Sequence, residues 1–214
     1  MSESLLVCEL FRSIQGESTY AGTVCSFVRL AGCNLECSYC DTSYARSGGI
    51  LMPIASIIEK ICGFGTGLIE ITGGEPLLQQ GISALIRDLL DRKKTVLIET
   101  NGSLDIGVVP NGCIRIVDVK CPSSGMQHSF LERNIAELKR DDEVKFVIGS
   151  REDFDFSLAF IGRHSLEKRA ILLMSPVTGM LPPSDLAQWI LDSNIPVRLQ
   201  LQLHKILWGD RRGV

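Results

Sequence analysis

Three thiols stand out in this 214-residue chain as a group able to do chemistry together. They lie in Cys33-Asn-Leu-Glu-Cys37-Ser-Tyr-Cys40, spaced by three residues and then by two, so one eight-residue loop can turn all of them toward a single inorganic core. A structural zinc site needs four ligands, usually as two separated pairs, and the histidines, His128, His164 and His204, are all remote in sequence. The ferredoxin run has other spacings and a fourth cysteine. Three thiolates on a 4Fe-4S cluster leave one iron without a protein ligand, open to a substrate or cofactor as the fourth position of a catalytic zinc is. The spacing favours such a cluster over zinc and over inert thiols. The other cysteines, Cys8, Cys25, Cys62, Cys113 and Cys121, are scattered along apolar segments and read as small buried hydrophobes.

Bulk properties narrow the setting. Eight cysteines without a secretory signal suggest metal or redox chemistry rather than a disulfide framework. The segment MSESLLVCELFRS carries two glutamates and no basic n-region, and no apolar run approaches membrane-spanning length, so a cytoplasmic protein without a membrane partner is expected. A net charge of −3 argues against direct binding of nucleic acid.

The thiols need a scaffold. After Cys40 short β-branched runs alternate with longer helical stretches. Candidate strands are Val24–Leu30, Leu68–Thr72, Thr95–Glu99, Ile114–Val119, Val144–Ile148, Ala170–Met174 and Val197–Leu203; candidate helices are Pro53–Cys62, Pro76–Arg92, Phe130–Lys139, Arg151–Gly162 and Pro182–Ser193. Most of the strands are near-continuous apolar runs, the pattern of parallel strands buried on both faces. The expected fold is α/β, a partial, open parallel (β/α) barrel of about six strands in a single domain over residues 1–214, since a closed barrel needs eight. Chemistry in such folds sits at the carboxyl ends of the strands. The residues there read Ala31-Gly32-Cys33, Gly73-Gly74-Glu75-Pro76, Thr100-Asn101-Gly102, Lys120-Cys121-Pro122 and Ser175-Pro176-Val177, and they include most of the unusual combinations in the chain.

The C-x3-C-x2-C spacing after a strand and Ala-Gly resembles the signature of the radical S-adenosylmethionine superfamily. In that superfamily the open iron chelates the amino and carboxylate groups of S-adenosylmethionine, and one electron from the cluster releases a 5′-deoxyadenosyl radical that abstracts hydrogen from a substrate. The resemblance implies that Tyr39 lies along the adenine and that Gly74, in the GGEP turn, meets the methionyl amine. Glycines there let backbone carbonyls approach an ammonium closely, although a glycine turn before a proline is also an ordinary connection. Polar groups in Asp118-Val119-Lys120 suit ribose hydroxyls and the methionyl carboxylate, with turn capping as the competing role, and Ser175, Pro176 and Val177 would close the adenine side.

Ile14-Gln15-Gly16-Glu17 breaks an apolar run with an amide and a carboxylate beside a flexible glycine. It reads either as a surface turn or as groups that pair with the guanidine-like edge of a pterin. Arg29 sits near the end of an apolar strand, where an unpaired charge would be costly, so it is expected to seek an anion such as a substrate carboxylate. With Phe27-Val-Arg29, Cys40-Asp41-Thr42, Thr72-Gly-Gly-Glu-Pro76, Pro122-Ser-Ser-Gly-Met126 and Gln202-Leu-His204-Lys205, the chain resembles the 7-carboxy-7-deazaguanine synthase family of the queuosine precursor pathway along nearly its whole length.

That resemblance implies contraction of 6-carboxy-5,6,7,8-tetrahydropterin to 7-carboxy-7-deazaguanine with loss of ammonia. It also implies Mg²⁺ held by the Thr42 hydroxyl, and pterin contacts from Ile14, Gln15, Gly16, Glu17, Arg29 and Thr72. His204, read as the end of the last strand, would face the same mouth unless it is a satisfied core histidine. A flavodoxin- or ferredoxin-type electron donor and a homodimer complete the expectation. Some relatives end on a proline that closes the pocket, whereas this chain runs on through Trp208–Val214, which leaves the packing of the tail open. Some also carry extra residues between the first two cysteines, so a short cluster loop is expected here. Two other readings compete: an activating enzyme that installs a glycyl radical on a partner protein, and an iron–sulfur electron carrier, against which the GGEP turn and the missing fourth ligand argue.

Overall fold

Strands apolar on both faces are stable only inside a sheet covered on each side. The computed structural model, which describes residues 3–214, shows how this chain covers them. The strands are β1 (Ser4–Ile14), β2 (Val24–Leu30), β3 (Ile50–Pro53), β4 (Leu68–Gly73), β5 (Thr95–Thr100), β6 (Ile114–Val119), β7 (Glu143–Ile148), β8 (Ile171–Pro176) and β9 (Arg198–Leu199). They form one open sheet in the order β3-β1-β2-β4-β5-β6-β7-β8-β9. From β2 to β9 every pairing is parallel, as expected for a partial barrel, while β1 runs antiparallel to both β2 and β3.

The helices are α1 (Ile54–Gly63), α2 (Ile82–Asp91), α3 (Asn134–Glu137), α4 (Arg151–His164), α5 (Pro183–Ser193) and α6 (Leu203–Trp208). The first two bury Ile57, Ile61, Leu85 and Leu89 against the outward side chains Val28, Ile69, Ile71, Val96 and Ile98. On the other half, Phe154, Ile161 and Leu186 cover Val119, Val144, Phe146, Leu172 and Met174. A capping box starts α4: Ser150 accepts from the Asp153 amide and the Asp153 carboxylate returns the contact.

Several elements differ from the sequence expectation. The strands β3 and β1 at one end of the sheet were not anticipated, because β1 alternates polar and apolar residues irregularly along SLLVCELFRSI. The stretch expected as one helix over Pro76–Arg92 is a 3₁₀ turn at Pro76–Leu78, capped by the Glu75 carboxylate, followed after Gly81 by α2. Of Phe130–Lys139 only α3 is helical, since Asn134 turns its side chain to Gly102 O, Leu104 O and the Ile106 amide. The last strand stops at Leu199. Gln200 N still donates to Met174 O of β8 at 2.8 Å while its side-chain amide donates to Ser18 O, and α6 begins where the strand was expected to end.

The inner face of the sheet is layered. Phe27, Leu68, Leu97 and Ile116 form a small apolar cluster toward the amino ends of the strands. Above it stands a buried ion network centred on Lys145 of β7, whose ammonium donates to Glu17 Oε2 at 2.7 Å and to Glu99, and lies 3.7 Å from Asp118 Oδ2. The side chain of Lys145 is only 5% exposed. Burial alone would lower its pKa, but Glu17, Glu99 and Asp118 outweigh burial and hold it well above the ordinary lysine value. Burial pushes the Glu17 carboxyl up in turn, and Lys145, by charge and hydrogen bond, brings it below the usual carboxylate range.

A depressed carboxyl pKa contributes stability that is present above the unfolded-state value and is lost on acidification through the folded one. Lys145→Met should therefore cost about 3–5 kcal/mol in urea unfolding near pH 8, because it leaves buried carboxylates without their cation. The gap between variant and wild type should narrow on acidification below the ordinary carboxylate range, as Glu17 becomes protonated. An unchanged gap across that range would show that the carboxylates do not depend on the lysine.

Candidate active site

The cluster loop starts where β2 ends. Ala31 N donates to Leu6 O of β1 at 2.9 Å, and Gly32 N to Ala45 O at 2.8 Å. Gly32 has φ +97°, a left-handed turn that glycine adopts without strain. The GGEP turn after β4 closes on this loop: Gly74 N donates to Leu30 O at 3.1 Å and Glu75 N to Gly32 O at 2.7 Å. A Cβ at Gly74 would lie 2.0 Å from Gly32 O and 2.9 Å from the Cβ of Cys33, so only glycine fits beneath the first cysteine. The fully buried Glu75 carboxylate accepts from Leu77 N, Thr100 Oγ1 and Asn101 N, tying the turn to the end of β5.

The other strand ends grip the same loop. Ser38 donates to Ser124 O through its amide and to Ser123 O through its hydroxyl, at 3.1 and 2.6 Å. Asn34 meets Asn101 and Ser103, Arg46 donates to Cys37 O, and the Tyr39 hydroxyl donates to Val147 O at the end of β7. Cys33, Cys37 and Cys40 thereby face one cavity of about 870 Å³, at the upper end of the range for ligand sites. Among the described residues no three His, Cys, Asp or Glu side chains converge on a single ion.

The residues expected to meet the cofactor divide by strand alternation. Tyr39, Gly74, Asp118, Lys120 and Val177 line the cavity. Val119 points the other way, into the helix-covered core, and its side chain does not reach the cavity. Ser175 is in register with Val147 and fully buried behind the wall, as is Pro176. Lys120 donates to Asp118 Oδ2 at 2.8 Å, and although burial opposes its charge, Asp118 holds its pKa above the ordinary lysine value. Asp118 Oδ1, on the cavity wall, is buried without a hydrogen-bond partner, which leaves an acceptor there for a ligand hydroxyl, whereas the equally unpartnered Ser175 Oγ lies behind the wall. The glycine cradle, the unclaimed acceptor of Asp118 and the three thiols fit a cluster with S-adenosylmethionine.

Gln15, Gly16 and Glu17 reach the cavity by another route. Because β1 is antiparallel to β2, the chain leaves β1 at the amino end of β2 and crosses beneath the barrel. This floor loop also spans the open side of the sheet: Leu203 N donates to Gly16 O, and the Gln202 and Gln200 amides donate to Glu17 Oε1 and Ser18 O. His204 belongs to α6 rather than to a strand, yet it lines the cavity, and a Cβ on Gly16 would lie 2.3 Å from its Nδ1. Ile14, Thr42 and Thr72 line the same cavity, and Thr72 Oγ1 donates to Glu99.

Arg29 finds one anion within the protein. Its Nε donates to Glu9 Oε1 at 2.7 Å, and its guanidinium lies over the rings of Phe11 and Tyr44. The fork keeps its terminal nitrogens free of protein hydrogen bonds among the described residues, on the cavity wall. The tail, whose packing the sequence left open, runs along the cavity from Gly209 to Val214, with Arg212 stacked 4.0 Å over Tyr44. Sequence reasoning missed Glu70 and Lys145 on the inner face. Their only signal was a charged residue in the middle of an apolar strand.

Residues 28–116 match the Radical SAM superfamily. Over nearly its full length the chain is 43% identical to the 7-carboxy-7-deazaguanine synthase of Chlorobaculum tepidum, covering 98% of this chain and 97% of the relative. It is 41% identical to the synthase of Koribacter versatilis, covering 97% and 99%. The crystal structure of QueE from Escherichia coli superposes with a TM-score of 0.78 over 93% of this chain and 94% of that one, at 20% identity, a likeness of fold. Sequence identity of this extent, on a fold whose loops gather the three thiols, places the chain in the 7-carboxy-7-deazaguanine synthase family of the radical SAM superfamily.

Proposed function

We propose that the chain converts 6-carboxy-5,6,7,8-tetrahydropterin to 7-carboxy-7-deazaguanine with release of ammonia. The observation that carries this reading is a single cavity lined at its mouth by Cys33, Cys37 and Cys40 and at its floor by Gln15 and Glu17. The cysteines would hold the 4Fe-4S cluster, with S-adenosylmethionine against Gly74, Asp118 and Lys120. When bound, these groups supply the one-electron chemistry that removes a hydrogen atom from the substrate.

The chain's own residues bind and orient. Arg29, already oriented by Glu9 and two rings, offers its remaining N–H groups to the substrate carboxylate. Thr42, two residues after the last cluster cysteine and on the same wall, would give its hydroxyl to Mg²⁺, with substrate and water oxygens completing the shell. The Lys145 network leaves charged groups rigid inside the barrel, so orientation is set before the substrate enters. The tail residues Gly209–Val214 line the same cavity and add Arg212, stacked over Tyr44, to its wall. A homodimer, a flavodoxin- or ferredoxin-type donor and a cytoplasmic setting belong to this reading through family membership. Among the described residues no helix is long and apolar enough to cross a membrane.

Anaerobic reconstitution with iron and sulfide, followed by dithionite, S-adenosylmethionine, Mg²⁺ and the pterin, should yield the deazapurine by mass spectrometry. Accumulation of 5′-deoxyadenosine without it would count against the reaction while leaving the radical chemistry standing. Cys37→Ala should lose the visible absorbance of the cluster together with all turnover. Arg29→Met should raise KM for the pterin by roughly tenfold or more, with a smaller change in kcat, as removal of a ground-state carboxylate contact requires.

A further inference from the structure

Glu17, Glu70, Glu99 and Asp118 present carboxyl groups to the inside of the barrel, and Lys145 and Lys120 are the ammonium groups among them. Lys145 serves Glu17, Glu99 and Asp118, and Lys120 serves Asp118. Glu70 belongs to no ion pair among the described residues. It lies 5% exposed on β4, in register with Phe27 on one side and Leu97 on the other. Its one hydrogen bond is accepted by Oε2 from the Gln15 amide, whose orientation is set because Gln15 Oε1 accepts the Glu17 backbone N–H at 3.1 Å. Oε1 of Glu70 has no protein partner, and the residue lines the cavity.

Glu70 is thus the unclaimed acceptor at the closed end of the site. Both oxygens of Glu17, the carboxylate that the sequence pointed to, are already taken, one by Lys145 and one by Gln202. Glu70 lies three residues before Gly73, roughly 10 Å below the cluster loop at strand rise. Arg29 stands one inward position nearer the mouth, level with Thr72. A substrate whose reacting carbon and carboxylate face the thiols and Arg29 must place its opposite edge on Glu70.

Building on the pterin reading, we propose that Glu70 is a specificity-determining residue whose carboxyl accepts two hydrogen bonds from the N3–H and 2-amino group of the aminopyrimidinone ring. Each carboxylate oxygen has lone pairs to spare, so the Gln15 contact persists. The groups facing Glu70 are Glu99 from β5, Glu17 and Gln15 from the floor loop, Lys145 from β7 and the Cys25 thiol from β2. Burial above all, then the charge of Glu99, pushes its carboxyl up to about 8 in the free protein. Two donated hydrogen bonds favour the ionised form, so binding near neutral pH should release a proton, and affinity should rise with pH up to about 8.

The test is equilibrium binding to the cluster-loaded enzyme without S-adenosylmethionine, where no turnover occurs. Calorimetry in buffers of different ionisation heat would compare 6-carboxytetrahydropterin with its analogue lacking the 2-amino group. Wild type should prefer the parent by roughly a hundredfold, the loss expected when one hydrogen bond to a charged group goes unmade, and release about one proton per ligand at pH 7. Glu70→Gln, which presents a donor where the ring needs an acceptor, should bind both ligands nearly equally and release no proton. If that variant fails to fold, Glu70→Asp keeps the acid but withdraws it by one methylene, and its preference should shrink. Equal weakening of both ligands, or an intact preference in the variant, would overturn the assignment. Wild type that binds neither ligand would overturn the pterin reading itself, and this assignment with it.

Discussion

An ammonium group inside a sheet loses several kcal/mol of hydration unless carboxylates surround it, and the arrangement around Lys145 follows from that cost. Three acids meet it from three elements: Glu17 from the floor loop, Glu99 from β5 and Asp118 from β6. None of these contacts is local in sequence. Through them the floor loop is held against the middle of the sheet, and the open side of a barrel that never closes is spanned by chain segments instead of strands. The same network leaves the interior polar and open to a ligand, where an ordinary small barrel would fill it with Val, Ile and Leu.

The two ends of the cavity have different jobs and are built differently. At the mouth, every neighbouring strand end contributes a backbone or side-chain hydrogen bond to the cluster loop, and Gly74 packs beneath Cys33 at a distance no side chain could share. Such density of short-range contacts suits a loop that must hold thiols at fixed spacing around an inorganic core. At the floor the groups are longer and titratable, held by each other rather than by backbone. Affinity and selectivity for a small heterocycle belong there, remote from the one-electron chemistry.

Several departures from the sequence reading share one cause. Arg29 was expected to seek an anion such as a substrate carboxylate, and Glu9 meets it first, across the antiparallel β1–β2 register. Val119 and Ser175 were grouped with their neighbours in sequence, whereas strand alternation turns Val119 outward and the wall covers Ser175. His204 was assigned to a strand end, but the strand stops at Leu199, the Gln200 side chain turns to Ser18 O of the floor loop, and His204 falls in α6. In each case the deciding contact comes from a residue far away along the chain.

What the sequence by itself determined was local: the cysteine spacing, the glycine turns and the apolar runs of β2 and β6, whose limits matched those expected because continuous apolar stretches bounded by turns leave little freedom. It also carried the family, since motifs recur in order along the chain. Tertiary structure alone decided which charges meet. Glu70 and Lys145 sit in runs that read as plain buried strands, and only the inward face of a curved sheet distinguishes a residue that must find a partner from one that packs against a helix. The pairing of Lys145 and the isolation of Glu70 depend on strand register and on a loop arriving from the opposite end of the barrel, and no pattern within a single segment encodes either.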